Sequence, residues 1–198
     1  VLYTSQENNP NTNQILHLAG HKDVRSDSLN IKSQMVFLPK IPPSLSRQIS
    51  VICRRIWNSS NVKKVPYAFS EPSSCFDPTS GVANLQQSQV GLTCATFAMS
   101  VYITMNIHLA DIKSWQYRED DEKWQKYVFE RYVPRLGESA EYIEKVKKEI
   151  GNIRIRPEEV ASAGNLYPPT VSFEDCIIHA EEIKREYTPK WCSTEFKF

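Results

Sequence analysis

One cysteine stands where an irregular polar segment changes into a helical pattern. Cys94 follows Thr93 in the string GLTCATF, and Phe97, Val101 and Met105 then recur every four residues, which predicts one buried helical face. Thr93 is a candidate N-cap, so Cys94 would occupy the first helical turn, beside unpaired backbone N–H groups and the positive end of the helix dipole. Such surroundings lower the pKa of a thiol, which predicts a nucleophilic thiolate. The alternative is a small, buried and inert cysteine.

A thiol nucleophile needs a base within hydrogen-bond reach of its sulfur and a third group that orients the base. The chain has four histidines. His17 and His21 lie on a predicted strand, point to the same face and are about 13 Å apart along it, so only one of them could contact Cys94 Sγ. His108 would lie about 20 Å from Cys94 along the helix, and His179 sits inside the last predicted helix. For His17 and His21 the alternative is a half-buried strand histidine.

The order of these residues, a histidine at a strand and then a cysteine that opens a helix in GLTCATF, resembles the circularly permuted papain-like cysteine hydrolases. That superfamily includes the NlpC-related permuted enzymes and the lecithin retinol acyltransferase-like group. The resemblance covers roughly residues 14 to 105. It implies a helix-borne nucleophile, Cys94, packed against an antiparallel sheet that carries the general base, His17, with His21 as the close alternative.

The resemblance implies a hydrolase or acyl transferase, such as a peptidase or amidase, that acts on an amide, peptide or thioester bond. The backbone N–H of Cys94 would help to stabilise the oxyanion. This sequence departs from the family after the histidine, where residues 22–27 are polar and the family strand stays apolar. Asp23 and Gln34 are candidates for the orienting residue, and neither belongs to a motif.

Two interpretations without catalysis stay open beside this one. The chain could be an inactive papain-like module that binds a partner protein through its sheet edge or its C-terminal helices. It could also be a helical interaction protein in which Cys94 belongs to the core.

The composition excludes some functional classes. The chain has 198 residues, 40% of them hydrophobic, with 24 Lys and Arg against 23 Asp and Glu, so no basic surface for nucleic acid is expected. No apolar run approaches the roughly 20 residues of a membrane span. The five cysteines include no C-x-x-C pair, which argues against a zinc site or a disulfide framework and favours free thiols in a reducing compartment such as the cytoplasm. No metal or cofactor motif is present.

The elements that must position these residues predict an α+β fold, a small antiparallel sheet packed against helices. Strands are predicted at residues 15–21 and 35–38, and helices begin near Ser44 and Cys94. Further helices are predicted over 119–133, over 139–150 and from 172 onward. We expect residues 1–110 to form the papain-like core and residues 111–198 a charged helical extension packed on it.

Overall fold

The computed structural model describes residues 1–4, 13–30, 39–85 and 89–191, with the backbone alone for residue 4 and for 187–191. Within these residues the chain is α+β, as predicted, with one three-stranded antiparallel sheet and six α-helices. The strands are β1 (Leu2–Thr4), β2 (Asn13–Gly20) and β3 (Asp23–Ser28). The helices are α1 (Pro43–Asn58), α2 (Cys94–Thr104), α3 (Glu119–Arg131), α4 (Ala140–Lys148), α5 (Pro157–Leu166) and α6 (Phe173–Trp191). The predicted strand at 35–38 lies outside the described residues.

The sheet covers the core with one face. Leu16 and Leu18 of β2 are buried, and so is Val24 of β3, which pairs with Leu18. These side chains join the main apolar cluster together with Phe97 of α2, so α2 packs on this face of the sheet. Because side chains alternate along a strand, His17 lies on the opposite face.

The regular alternation of β2 ends before its last residue. Leu18 pairs with Val24 but Gly20 pairs with Asp23, so the register shifts between these two pairs. A turn follows immediately, in which Lys22 has a φ of 55°. His21 therefore lies in the turn rather than on the strand, and the expectation that it shares a face with His17 is wrong.

Helix α1 has the predicted apolar stripe. Its buried residues are Ile49, Ile52, Cys53 and Ile56. It begins at Pro43 rather than Ser44, because a proline at the first helical position has its φ already set for the helix and lacks only an N–H that would be unpaired there.

Helices α5 and α6, and loop residues beyond position 110, share the main core with the sheet. The residues beyond this point that lie in the main cluster are Trp115, Ile155, Ala163, Val171, Phe173 and Cys176. A second, smaller cluster joins Ala68 and Phe69 to Val133 and Val146, on the side of α3 and α4. Residues on both sides of position 110 therefore contribute to one main cluster.

Candidate functional site

Helix α2 begins at Cys94, as predicted, and its first turn is fixed by two threonines. Thr93 Oγ1 accepts from the backbone N–H of Thr96 at 3.1 Å, and Thr96 Oγ1 accepts from the N–H of Thr93 at 2.9 Å. Both threonines are buried, whereas Cys94 is exposed. This reciprocal cap satisfies two backbone donors and leaves the cysteine side chain at the surface.

The segment before Cys94 is held against residues 66–68. Leu92 N–H donates to Pro66 O at 2.9 Å, and Ala68 N–H donates to Leu92 O at 3.3 Å. Gly91 makes this close approach possible, because a Cβ there would stand 2.4 Å from Pro66 O. The backbone on both sides of Tyr67 thus sets the position of the residues that lead into the helix.

The charges around Cys94 do not produce the expected thiolate. Although Cys94 is exposed, desolvation of its sulfur by the surrounding protein raises the pKa of the thiol above its ordinary value. The backbone N–H groups of Ala95 and Cys94 and the charge of Arg154 lower this pKa, while the charge of Glu158 adds to the rise. The helix terminus acts in the predicted direction, but desolvation outweighs it, so the thiol is protonated near neutral pH.

Arg154, whose charge acts on this thiol, is held in place by two side-chain contacts. Its Nη1 lies 3.2 Å from Asp121 Oδ1, and its guanidinium carbon lies 3.5 Å from the centre of the Trp124 ring. Asp121 also receives Arg156 Nε at 2.8 Å and an ion pair from Arg118. Sequence reasoning missed Arg154, which belongs to no motif and reaches the site through the turn after α4.

His17 does not meet Cys94. Its Nε2 lies 2.7 Å from Asp27 Oδ2 on the exposed face of the sheet, away from α2. A base on that face is separated from the thiol by the thickness of the sheet, so the pairing of His17 with Cys94 is not found.

His21 has a buried side chain with both ring nitrogens engaged. Tyr67 N–H donates to Nδ1 at 3.1 Å, and Glu138 Oε1 lies 2.9 Å from Nε2. Because a backbone N–H can only donate, Nδ1 carries the lone pair, and Nε2–H donates to Glu138. Tyr142 Oη lies 3.2 Å from Nδ1, and Tyr132 Oη accepts from the backbone N–H of His21 at 2.9 Å.

Among the described residues, neither His17 nor His21 is hydrogen-bonded to Cys94 Sγ. Asp23 does not orient a histidine, because its carboxylate holds Arg25 Nε at 3.0 Å. Gln34 lies outside the described residues. The carboxylate that does orient an imidazole is Glu138, which is 117 residues from His21 in sequence and gave no local signal.

The remaining histidines and cysteines lie elsewhere. His108 is within 3.4 Å of Asn106, and His179 lies between Asn165 at 2.8 Å and Glu182 at 3.0 Å. The other described cysteines are free and buried, at positions Cys53, Cys75 and Cys176. Burial raises the pKa of the Cys53 thiol to about 12, which disfavours a thiolate at this position.

Comparison of this chain with protein-family models, with curated proteins and with solved structures found no match. Of the helices in the described part of the chain, none has the length and apolar character to cross a bilayer. Nor do the described histidine, cysteine, aspartate and glutamate residues gather in groups of three or more suited to a metal ion.

Proposed function

We propose that this chain is a cysteine-nucleophile hydrolase or acyl transferase that acts on an amide, peptide or thioester bond. The observation that carries the proposal is the setting of Cys94. It is exposed at the first turn of α2, and the backbone N–H groups of Cys94 and Ala95 act on its sulfur in the direction that favours a thiolate. In the proposed reaction those same N–H groups would stabilise the oxyanion of the attacked carbonyl.

His21 is the better candidate for the base. Its contact to Glu138 leaves a lone pair on Nδ1, which is the tautomer that a base requires. Its Nδ1 also contacts Tyr67, whose backbone neighbours pair with Leu92, two residues before Cys94. To act as base, Nδ1 must exchange the N–H of Tyr67 for the thiol proton.

The reaction then proceeds in two steps. As Nδ1 of His21 takes the thiol proton, Cys94 Sγ attacks the carbonyl carbon, the bond to the leaving group breaks, and the imidazolium returns the proton to the leaving group. Water, or an acceptor in a transferase, then attacks the thioester, loses a proton to Nδ1 and releases the acyl group and the thiol. Glu138 keeps the ring oriented and stabilises the imidazolium in both steps.

A binding module without catalysis is the second candidate, and two observations favour it. Desolvation raises the pKa of the Cys94 thiol, and the lone pair of His21 is occupied by a backbone donor. In such a module the contacts of His21 would be purely structural, and the C-terminal helices would offer the surface for a protein partner.

Formation of an acyl-enzyme separates the two candidates. The purified chain is incubated with p-nitrophenyl acetate, and intact mass and peptide mapping locate the acetyl group. We expect acetylation of Cys94 in the wild type and none in C94A. We expect H21Q to slow acylation by about a hundredfold or more, the usual contribution of a general base.

H17Q is the matched control, because His17 is the histidine of β2 that faces away from α2, and its rate should equal that of the wild type. E138Q serves as a second variant should H21Q fail to fold, and thermal unfolding reports folding for all of them. Equal acylation rates in H21Q, E138Q and the wild type would contradict the catalytic assignment of His21. Absence of any Cys94 adduct would support the binding module.

A further inference from the structure

We propose that a cavity between α1, α2, α5 and the sheet binds a neutral aliphatic molecule that carries one hydroxyl or carbonyl group. The cavity has a volume of about 400 Å³, within the range of roughly 300–1,000 Å³ that is usual for small-molecule sites. Cys94 does not line it, so this inference goes beyond the proposed function and does not rest on it.

Gly164 gives the clearest evidence that this space is open. It is buried inside α5, yet a Cβ built on it would meet no atom of another segment within 4 Å. Glycine inside a helix is less stable than alanine, and here neither a positive φ nor a close neighbour requires it. The missing side chain therefore leaves room beside the helix.

The same space is bordered by short side chains on two neighbouring helices. Ala98 on α2 and Ala161 on α5 line the cavity together with Gly164. Ala161 and Gly164 are three residues apart, so they share one face of α5, and Ala98 shares a face of α2 with Tyr102. Because these side chains are short, they do not fill the gap between the two helices.

The walls of the cavity are aliphatic and uncharged. Most of the larger lining side chains are branched hydrocarbons, from Leu2, Ile15, Ile41, Ile49, Leu109 and Val160. Among the described residues that line the cavity, no side chain is an acid or a base of the Asp, Glu, Lys, Arg or His type. A charged ligand would lose its hydration there without gaining an ionic partner. The walls therefore favour a neutral aliphatic body.

Tyr102 provides a polar group for such a ligand. It is partly buried and lines the cavity, and its hydroxyl forms no hydrogen bond with any residue that the structure describes. Burial raises the pKa of this phenol, so the hydroxyl stays protonated at neutral pH. A phenol hydroxyl can both donate and accept a hydrogen bond. A hydroxyl or carbonyl oxygen on the ligand would supply the missing partner.

Access to the cavity is open on the side of α1. Ser46 lines the cavity and is exposed, so the space reaches solvent beside this residue. A ligand could therefore enter without unfolding of the core, with its aliphatic body inside and its polar group at Tyr102.

The test is calorimetric titration of the full chain with 1-octanol. We expect saturable binding of one molecule per chain. Y102F should weaken this binding about fivefold, the usual effect of losing one hydrogen bond between neutral groups. Octanoate, which has the same chain length but a negative charge, should bind more than about tenfold more weakly than 1-octanol.

Filling the cavity should abolish binding. We expect no saturable binding in G164L, and A161L is a second filling variant from the same face of α5. N165L is the matched control, because Asn165 is exposed, does not line the cavity and receives the same new side chain. Its affinity should equal that of the wild type. Thermal unfolding reports folding for every variant, and G164A should unfold at a higher temperature than the wild type, since its methyl group has room.

Several results would overturn the inference. These are no saturable binding in the wild type, equal affinity in the wild type and both filling variants, unchanged affinity in Y102F, or equal binding of octanoate. A lower unfolding temperature in G164A would show that the space beside Gly164 is closed. Acylation of Cys94 is not part of these measurements, so failure of the hydrolase proposal would leave them unaffected.

Discussion

Two buried polar junctions tie the C-terminal helices to the rest of the molecule. They differ in the groups that contact their carboxylates: arginine side chains in one, and uncharged donors in the other. The ionic junction contains two carboxylates and three guanidinium groups, from Arg118, Asp121, Arg154, Arg156 and Glu159. The Glu149 junction contains one carboxylate, which accepts from the Ser70 hydroxyl and, at 2.8 Å, from the N–H of Phe69. Ser70 Oγ in turn accepts from the N–H groups of Val90 and Gly91.

The comparison shows what a cation contributes to a buried acid. Without one at the Glu149 junction, desolvation dominates and raises the pKa of the Glu149 carboxyl, although Ser70 and Phe69 donate to it. At the ionic junction each carboxylate has at least one arginine. We therefore expect the Glu149 junction to respond to pH, and we expect the ionic junction to be sensitive to the loss of a charged partner. Both border the site, since Glu149 holds the segment before Cys94 and Asp121 holds Arg154.

The largest effect is expected from D121N. The substitution leaves three guanidinium groups with one carboxylate, and breaking a buried ion pair by removing one partner costs about 3–5 kcal/mol. We expect the free energy of unfolding in urea to fall by about 3 kcal/mol, because the arginines are partly exposed. E119Q, at the exposed pair with Lys123 on the same helix, is the control and should change it by less than about 0.5 kcal/mol. A loss below 1 kcal/mol in D121N would remove the distinction between buried and exposed pairs.

The next effect is expected from E149A. This change leaves the N–H of Phe69 buried without an acceptor, which costs about 1–3 kcal/mol. Urea unfolding should show this loss, and E144A, at an exposed position of α4, should show none. We also expect slower acylation of Cys94 in E149A, since Ser70 loses the partner that orients it toward Val90 and Gly91. An unchanged free energy of unfolding would mean that water replaces the carboxylate.

A smaller effect, with a defined sign, is expected from pH. Because the pKa of Glu149 is raised in the folded state, protonation stabilises that state relative to the unfolded chain. This contribution is fully present below the ordinary value of 4.5 and is lost as pH rises through the folded-state pKa. The free energy of unfolding of the wild type relative to E149Q should therefore decrease as the pH rises from about 5 to about 8.

The smallest effect is expected from D27N, which breaks the exposed pair with His17. The side chains of His17 and Asp27 are 37% and 55% exposed, so solvent screens their interaction. The free energy of unfolding should change by less than about 0.5 kcal/mol, and acylation of Cys94 should not change. A clear loss of acylation in D27N would indicate that His17 contributes to the reaction of Cys94.

Local patterns carried the prediction of the elements. The apolar stripe of α1, the buried Leu16 and Leu18 of β2, and the cap at Thr93 all follow from spacing within a few residues. These features depend on neighbours in sequence, and so they were accessible without coordinates.

The surroundings of the site depend on distant residues and could not be predicted in this way. Glu138 reaches His21 across 117 positions, and Arg154 reaches the α2 terminus through a turn fixed from α3. Alternation alone predicted that His21 shares a face of the strand with His17. The register shift after Leu18 ends the regular alternation, and His21 lies in the following turn. The ionisation of Cys94 was predicted from the helix terminus, a local effect, whereas desolvation by the folded protein has the larger influence.

Gly91 has a consequence for how this chain can vary in evolution. With Pro66 O only 2.4 Å from the point where a methyl group would begin, even alanine would push apart two segments that carry the thiol and the backbone contact of the imidazole. We expect glycine three residues before the cysteine to be invariant in any related chain, including relatives that have lost the cysteine itself. A glycine at this position in a divergent sequence would then indicate that the sequence has the same fold, and not that it catalyses the same reaction.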